Sequence, residues 1–355
     1  MKTTILKIDK DHIDMEMIKS AGKVISSGGL VAFPTETVYG LGGDAMDAGA
    51  SEKIYGAKGR PSDNPLIVHI ASAEALPDIA RDIPQEAYIL AEAFWPGPLT
   101  IILNKNERVP LSTTGGLETV AVRMPSHPIA KALIEASGTY IAAPSANTSG
   151  RPSPTMASHV IEDLDGKIDM IIDGGKVGIG IESTIVDLTG SEPMILRPGY
   201  ITRQMLEKVL GSVAVDQAIL SENADKNFHP KAPGMKYKHY APKGDLAIVE
   251  GTQEQVVETI NTLTLQAEEE GRTVAVIAAD ESAGLYTCAH VYSIGSRQDE
   301  ETIASNLFAV LREMDELHAD VIYSESYYDS GLGQAVMNRL LKAAGHHVIR
   351  AGQTK

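Results

Sequence analysis

The sequence predicts a two-domain α/β protein, with a larger strand-rich N-terminal domain and a smaller Rossmann-like domain built on a parallel sheet. Three observations predict it. The chain has 355 residues, more than the roughly 100–200 of one typical domain. Over its first two-thirds, short apolar runs bounded by Gly, Pro, Ser or Asn are interspersed with helical stretches. Beyond a Pro- and Lys-rich break, strand and helix patterns alternate, as parallel strands covered by helices require.

Taken in order, Met17, Ile18, Ala21, Val24 and Ile25 recur at three- and four-residue spacing. That periodicity predicts a helix over 14–27, ended by Gly28-Gly29. "LVAFPTETVYGLG" begins as a strand, turns at Pro34 and runs into a Gly-rich turn. "PLIVHIA", "LTIILN", "TVAVRMP", "YIAAPS", "MIIDGG" and "STIVDL" read as further strands, with helices around 84–94 and 127–137.

Residues 221–245 hold three prolines and no sustained periodicity, which marks a linker. Five lysines (Lys226, Lys231, Lys236, Lys238, Lys243) against three acids reverse the sign of the whole chain there. Phe228, Met235, Tyr237 and Tyr240 set it apart from a flexible Gly/Ser spacer and predict that it packs on something. The division is therefore 1–215, a linker over 216–244, and 245–355. In the last part "DLAIVEG", "RTVAVIAAD", "HVYSIG" and "ADVIYSES" alternate with helices near 252–270, 299–318 and 333–344. "SGLGQAVMNRLLKAAG" opens its helix after a glycine pair, which helix–sheet packing explains better than a phosphate site.

Hydrophobic residues make up 43% and aromatics only 5%, so the cores must rest on Ala, Val, Ile and Leu. A formal charge of −16 argues against broad nucleic-acid binding, which needs a basic face to displace counterions. It leaves room for a small anion in a local basic pocket. Cys288, the only cysteine, excludes an intrachain disulfide or a Cys-based zinc cluster and reads as a small hydrophobe. The N-terminus lacks the apolar core of a signal peptide, and no run approaches the roughly 18 apolar residues of a membrane span. The expectation is a soluble, cytoplasmic protein.

Several strand ends carry candidate chemistry. "FPTETVYG" offers Thr35, Glu36, Thr37 and Tyr39. "KGRPSDNPLIVHI" supplies Lys58, Arg60, Ser62 and Asn64 and ends its strand on His69. "ETVAVRMP" ends on Arg123, whose buried charge needs a carboxylate partner from the protein or from a ligand. "IAAPSANTSGRPSPT" sets Ser145, Asn147, Thr148, Ser149, Arg151 and Ser153 in a loop directly after a strand, a donor set that suits phosphate oxygens. Ser183 and Thr184 enter another strand, and "ILRPGYIT" adds Arg197. No Walker-type loop, metalloprotease His-Glu pattern or Gly-x-Ser-x-Gly elbow is present. Cations with Ser/Thr/Asn loops suit a polyphosphate and a small carboxylate, with catalysis by positioning and charge neutralisation.

"KGRPSDNPLIVHI", "FWPGPLTIIL", "VAVRMPSHP", "IAAPSANTSGRPSPT", "IESTIVDL" and "ILRPGYI", in that order, resemble the YrdC-like family. The pair Lys58-x-Arg60 with Ser145-x-Asn147 is similar to that family's hallmark tetrad, the catalytic candidates. "APGMKYKHYAP" and the α/β tail resemble its long, two-domain form, so the resemblance covers nearly the whole chain. It implies a twisted mixed α/β sheet with a concave basic active face, and a synthase that makes threonylcarbamoyl-AMP and pyrophosphate from L-threonine, bicarbonate and ATP. Mg²⁺ would accompany ATP. The product would pass to tRNA threonylcarbamoyl transferase proteins, with no stable tRNA binding and no membrane involvement.

Carried over by motif, Lys58, Arg60, Asn64, Thr119, Ser145, Asn147, Ser153, Arg197 and Tyr237 would contact ATP. Thr35 or Thr37, His69, Arg123, backbone at Ala143, and Ser183 would hold threonine, with Arg123 on its carboxylate. The linker would fold over the site and exclude water from labile carbamates. Lys238 stands where the family pattern leads one to expect Arg. Two other readings fit less well. The related hydrogenase-maturation carbamoyltransferases carry Cys-rich zinc segments, and a non-enzymatic RNA-binding module would need aromatics for base stacking.

Overall fold

The computed structural model describes residues 2–216, 239–328 and 331–352. It divides into two compact units, Met1–Ser149 with Ser153–Tyr237, and Gly150–Pro152 with Lys238–Lys355.

The first unit is built on one sheet. Its strands are β1 (Thr4–Lys7), β2 (Val31–Phe33), β3 (Gly40–Asp44), β4 (Ile67–His69), β5 (Leu99–Asn104) and β6 (Thr119–Arg123). They continue with β7 (Ile141–Ala142), β8 (Met170–Asp173), β9 (Thr184–Asp187), β10 (Met194–Arg197) and β11 (Ala214–Val215). The order across the sheet is β1-β8-β2-β3-β7-β4-β6-β5-β9-β10-β11. Pairing is mixed: β4 runs parallel to β6, for example, while β5 runs antiparallel to it.

Helices α1 (Met15–Ser26), α2 (Ala48–Lys58), α3 (Leu76–Ile79), α4 (Gln85–Phe94), α5 (Pro128–Ser137), α6 (Ala157–Leu164) and α7 (Arg203–Leu210) complete the unit. The helices expected around 14–27, 84–94 and 127–137 are α1, α4 and α5.

Two elements differ from expectation. The Gly-rich stretch after Tyr39 is a strand rather than a turn, with Val31 opposite Gly42 and Phe33 opposite Gly40. A Cβ on Gly42 would sit 2.7 Å from Ile141 Cγ2 and 2.8 Å from Phe33 Cε1, so glycine there lets side chains of the flanking strands close over β3. Helix α2 had no strong periodic signal. Asp47 caps it by accepting from the Gly49 N–H (2.9 Å), and Gly59 ends it in the left-handed region at φ 61°. That stop fixes Lys58 as the helix's last residue.

Strand alternation divides the centre of the sheet between two environments. Val68, Ile101, Leu103, Val120, Val122 and Val186 join the main core. On the alternate positions, Ile67, Ile102, Ala121 and Ile185, with Leu196, form a separate small apolar cluster.

The second unit is a sheet of five parallel strands, the architecture the alternating pattern predicts. Its strands β12 (Asp245–Glu250), β13 (Val274–Ala278), β14 (Val291–Ser293), β15 (Val321–Glu325) and β16 (Val348–Arg350) take the order β14-β13-β15-β12-β16. Helices α8 (Gln253–Glu269), α9 (Glu300–Glu316) and α10 (Gly331–Ala343) connect them. Tyr240 stacks on Phe308 of α9 with ring centroids 5.0 Å apart. Within the same unit, the Ala241 N–H donates to Gly150 O (3.0 Å) and Arg312 Nη2 to Pro152 O (2.7 Å). Cys288 is buried, and burial pushes its thiol pKa up, which suits the role of a small hydrophobe.

Among the described residues, no helix is long and apolar enough to cross a membrane.

Candidate active site

Sheet register gathers most of the candidate residues into one row. His69 at the end of β4 lies opposite Arg123 at the end of β6. Arg123 in turn lies opposite Thr100 on β5. Leu99 pairs with Thr184, which places Ser183 just outside β9, and Ile185 pairs with Arg197 at the end of β10. On the other side, an isolated bridge joins Gly40 to Ser145, and the Ala143 N–H donates to Ile67 O (2.9 Å). That bond spends the Ala143 donor, so a ligand contact from this backbone falls to its carbonyl. Thr119, Ala121 and Arg123 share one face of β6. Thr119 stands at the far end of that strand, roughly 13 Å from Arg123 at about 3.3 Å per residue. Only a ligand that runs the length of β6 can meet both.

The buried arginine has its carboxylate partner inside the protein. Arg123 Nη2 lies 2.7 Å from Glu36 Oε1, with the two side chains 5% and 13% exposed. The approach is out of line for a hydrogen bond, and both Glu36 oxygens and Arg123 Nη2 are buried without one. The contact is therefore an ion pair held by charge. Arg123 Nη1 donates to Thr37 Oγ1 (2.9 Å), and Nε points at Gly97 O (3.4 Å). Thr37 Oγ1 also meets Thr35 Oγ1 (2.9 Å), and the Thr35 hydroxyl donates to Val38 O (2.6 Å). The backbone carbonyls of Glu36 and Thr37 accept from the N–H groups of Ile179 and Gly180 (2.8 and 3.0 Å), which pins this turn. Thr37 is thus the threonine that touches Arg123, while Thr35 shapes the turn behind it.

His69 is neutral here. Burial, reinforced by the Arg123 charge, pushes its pKa down to about 3, and Nδ1–H donates to Ile67 O (3.1 Å). Between pH 6.5, its ordinary value, and about 3 the unfolded chain binds a proton that the folded chain refuses. Stability must therefore fall as pH falls through that window. Comparing wild type with His69→Gln by denaturant titration at pH 7 and pH 5, we expect wild type to lose about 2 kcal/mol more over the interval. Equal losses would mean that His69 already takes up its proton in the folded state.

A second cluster surrounds Lys58. Its ammonium donates to the carbonyl oxygens of Ser145 and Asn147 and lies 3.4 Å from Asn147 Oδ1. The Ser145 hydroxyl donates to the same Asn147 Oδ1 (2.5 Å), and the Ser149 N–H returns to Lys58 O (2.9 Å). The loop after β7 is thus wrapped around the end of α2. Arg60 Nη2 donates to Asn64 O (3.3 Å) and Pro65 O (3.2 Å), and Tyr55 Oη also donates to Asn64 O (3.1 Å). Asn64 Oδ1 is buried without a hydrogen bond. The Leu66 N–H donates to Thr113 O (3.0 Å), which ties this segment to the loop that leads into Thr119.

The remaining candidates meet at β9. Arg197 Nε donates to Ser183 O (3.0 Å) and Nη2 to Ser183 Oγ (3.2 Å). Ser183 Oγ also meets Thr100 Oγ1 (2.7 Å), which links Arg197 to the strand neighbour of Arg123. Ser153 Oγ donates to the buried Glu182 Oε1 (2.5 Å). Tyr237 and Lys238, and with them the expected lid, lie outside the described residues.

The structure adds Thr100 and Glu182 to the candidate set and makes Glu36 the partner of Arg123, with the apolar cluster of Ile67, Ile102, Ala121 and Ile185 on the same strands. Alternation was the available signal for that cluster, since Ile67 precedes His69, and Ala121 precedes Arg123, by two positions. Among the described residues, no three His, Cys, Asp or Glu side chains are grouped to hold a metal ion.

Comparison with known proteins bears on what this arrangement does. Residues 23–199 match the Sua5/YciO/YrdC family model, which carries the description "Telomere recombination". Residues 201–345 match the model described as "Threonylcarbamoyl-AMP synthase, C-terminal domain". The threonylcarbamoyl-AMP synthase of Pyrococcus abyssi is 51% identical over 347 residues, covering 98% of this chain and 99% of that one. The synthase of Bacillus subtilis is 50% identical over 334 residues, 94% of each. A crystal structure of P. abyssi Sua5 complexed with L-threonine matches with a TM-score of 0.93 at 50% identity, covering 98% of this chain and 100% of that one.

Proposed function

The chain belongs to the Sua5/YciO/YrdC family in its two-domain form, and from that premise we infer that it is an enzyme joining L-threonine and ATP into threonylcarbamoyl-AMP. The observation that carries this reading is the near-full-length likeness to synthases of that name. The product serves threonylcarbamoyladenosine formation in tRNA, and the proteins that transfer it to tRNA are the proposed downstream partners.

In the proposed reaction, the threonine ammonium gives up a proton and the free amine is carboxylated by bicarbonate, which loses its hydroxyl as water. An oxygen of the resulting carbamate then attacks the α-phosphorus of ATP, and pyrophosphate leaves. The side-chain roles follow the two clusters. Threonine sits at the Arg123 end, on Thr37, His69, the Ala143 carbonyl and Ser183, with Thr35 holding the turn. ATP takes Lys58, Arg60, Asn64, Ser145, Asn147, Ser153 and Arg197, and its adenosine lies along β6 over the apolar cluster toward Thr119. Three arguments support this division. Hydroxyl and amide donors accompany the cations Lys58, Arg60, Arg123 and Arg197. Arg197 and Arg123 are linked through Ser183 and Thr100, so charge developing between the substrates falls between two guanidinium groups. A neutral His69 serves as a hydrogen-bonding group rather than as a base.

Mg²⁺ arrives with ATP in this proposal and is held by the phosphates, the usual mode for an ion that dehydrates reluctantly. It offsets phosphate charge beyond what Lys58, Arg60 and Arg197 neutralise. The reading is tested by incubating the protein with ATP, Mg²⁺, bicarbonate and L-threonine and resolving the nucleotides by mass spectrometry. The expected new species is the mixed anhydride of threonine carbamate with AMP. Formation of threonyl-AMP, with no added CO₂ unit, would overturn the carbamate step.

A further inference from the structure

We propose that Glu36 is the receptor for the substrate's α-ammonium group, so that Glu36 and Arg123 together read the zwitterion of an amino acid. The proposal rests on the reading that threonine binds at Arg123 and goes beyond it by assigning a residue to the opposite charge.

The reason lies in how incompletely the pair satisfies itself. A buried ion pair normally compensates for lost hydration through in-line hydrogen bonds to the remaining lone pairs and protons. Here the charges touch at 2.7 Å, yet neither Glu36 oxygen and not even Arg123 Nη2 has a hydrogen bond. The other two nitrogens of Arg123 are occupied: Nη1 donates to Thr37 Oγ1, and Nε is turned to Gly97 O. Nη2 is therefore the donor left for a ligand carboxylate, and it is the atom Glu36 now faces.

An amino-acid zwitterion supplies what both groups lack. Its carboxylate accepts from Nη2, and its ammonium, one carbon away, donates to the neighbouring Glu36 oxygens. The exchange keeps each protein charge neutralised throughout, so the site never holds a bare buried ion. Glu36 is also fixed for this task, because its own carbonyl accepts from the Ile179 N–H (2.8 Å) and the next residue is locked by Gly180 and Arg123. A site of this kind rejects carboxylic acids that lack the amine, because binding them leaves the Glu36 carboxylate buried and uncompensated.

The test compares L-threonine with 3-hydroxybutyrate, which is threonine without its amino group, by calorimetric titration of wild type and Glu36→Gln. In wild type, threonine is expected to bind at least about tenfold more tightly than the analogue, which is about the discrimination one charge-assisted hydrogen bond supplies. In Glu36→Gln that advantage should largely vanish: threonine binding weakens, analogue binding holds or improves, and ATP affinity stays within about twofold. Glu36→Asp, which keeps the charge, should retain the preference and guards against a folding defect in the glutamine variant. Weakening of both ligands by the same factor would make Glu36 a positioning residue for Arg123 and overturn the proposal, as would unchanged threonine binding. Loss of ATP affinity in Glu36→Gln with threonine affinity unchanged would instead overturn the placement of threonine at the Arg123 end.

Discussion

Lys58→Ala is expected to lower kcat/KM for ATP by about 10²–10³-fold, the loss typical when one fixed donor facing transition-state charge is removed. Two effects combine in that figure. The ammonium is the cation closest to the Ser145–Asn147 loop, and it orders that loop by donating to both of its carbonyl oxygens. Without it those carbonyls lose their partner, and the Ser145 and Asn147 side chains lose the geometry fixed by their mutual hydrogen bond. Steady-state kinetics with ATP varied at saturating threonine measures the loss, and a thermal melt separates it from unfolding. A fall of less than tenfold would show that the cluster is scaffolding and that the phosphates bind elsewhere.

Arg123→Ala is expected to abolish the response to threonine and to destabilise the fold by about 3–5 kcal/mol, the usual consequence of removing one member of a buried ion pair. The reason is Glu36, whose carboxylate stays largely buried with its counter-charge gone. The double variant Arg123→Leu with Glu36→Leu should recover most of that stability, since it removes both charges and fills the space with apolar side chains. It should not recover activity. Denaturant titration of the single and double variants reads the stability term, and titration with threonine and ATP reads the binding term. A single variant that is stable but has lost ATP affinity would reverse the assignment of the two substrates.

The legible parts of this protein were those written in local pattern. Short apolar runs ended by Gly or Pro became strands, and "PLIVHI" and "TVAVR" placed His69 and Arg123 at strand ends. The alternation beyond residue 245 became a sheet of parallel strands. What escaped depended on neighbours distant in sequence. Gly40–Asp44 resembles a turn until Phe33 and Ile141 are seen to need the room above it. Helix α2 is held by its Asp47 and Gly59 caps more than by an apolar stripe. Arg123 demanded a partner from its sequence alone, but Glu36 emerged only when the turn after β2 was folded against the end of β6. Side-chain identity announced the chemistry of the site, whereas the pairing of its charges came from sheet register.

The central claim, that one site on these strand ends joins threonine, bicarbonate and ATP, is tested most directly by measuring pyrophosphate release while omitting one substrate at a time. The account predicts release only when all three are present, and a return to background when either threonine or bicarbonate is withheld. Release that continues without threonine or without bicarbonate would contradict it.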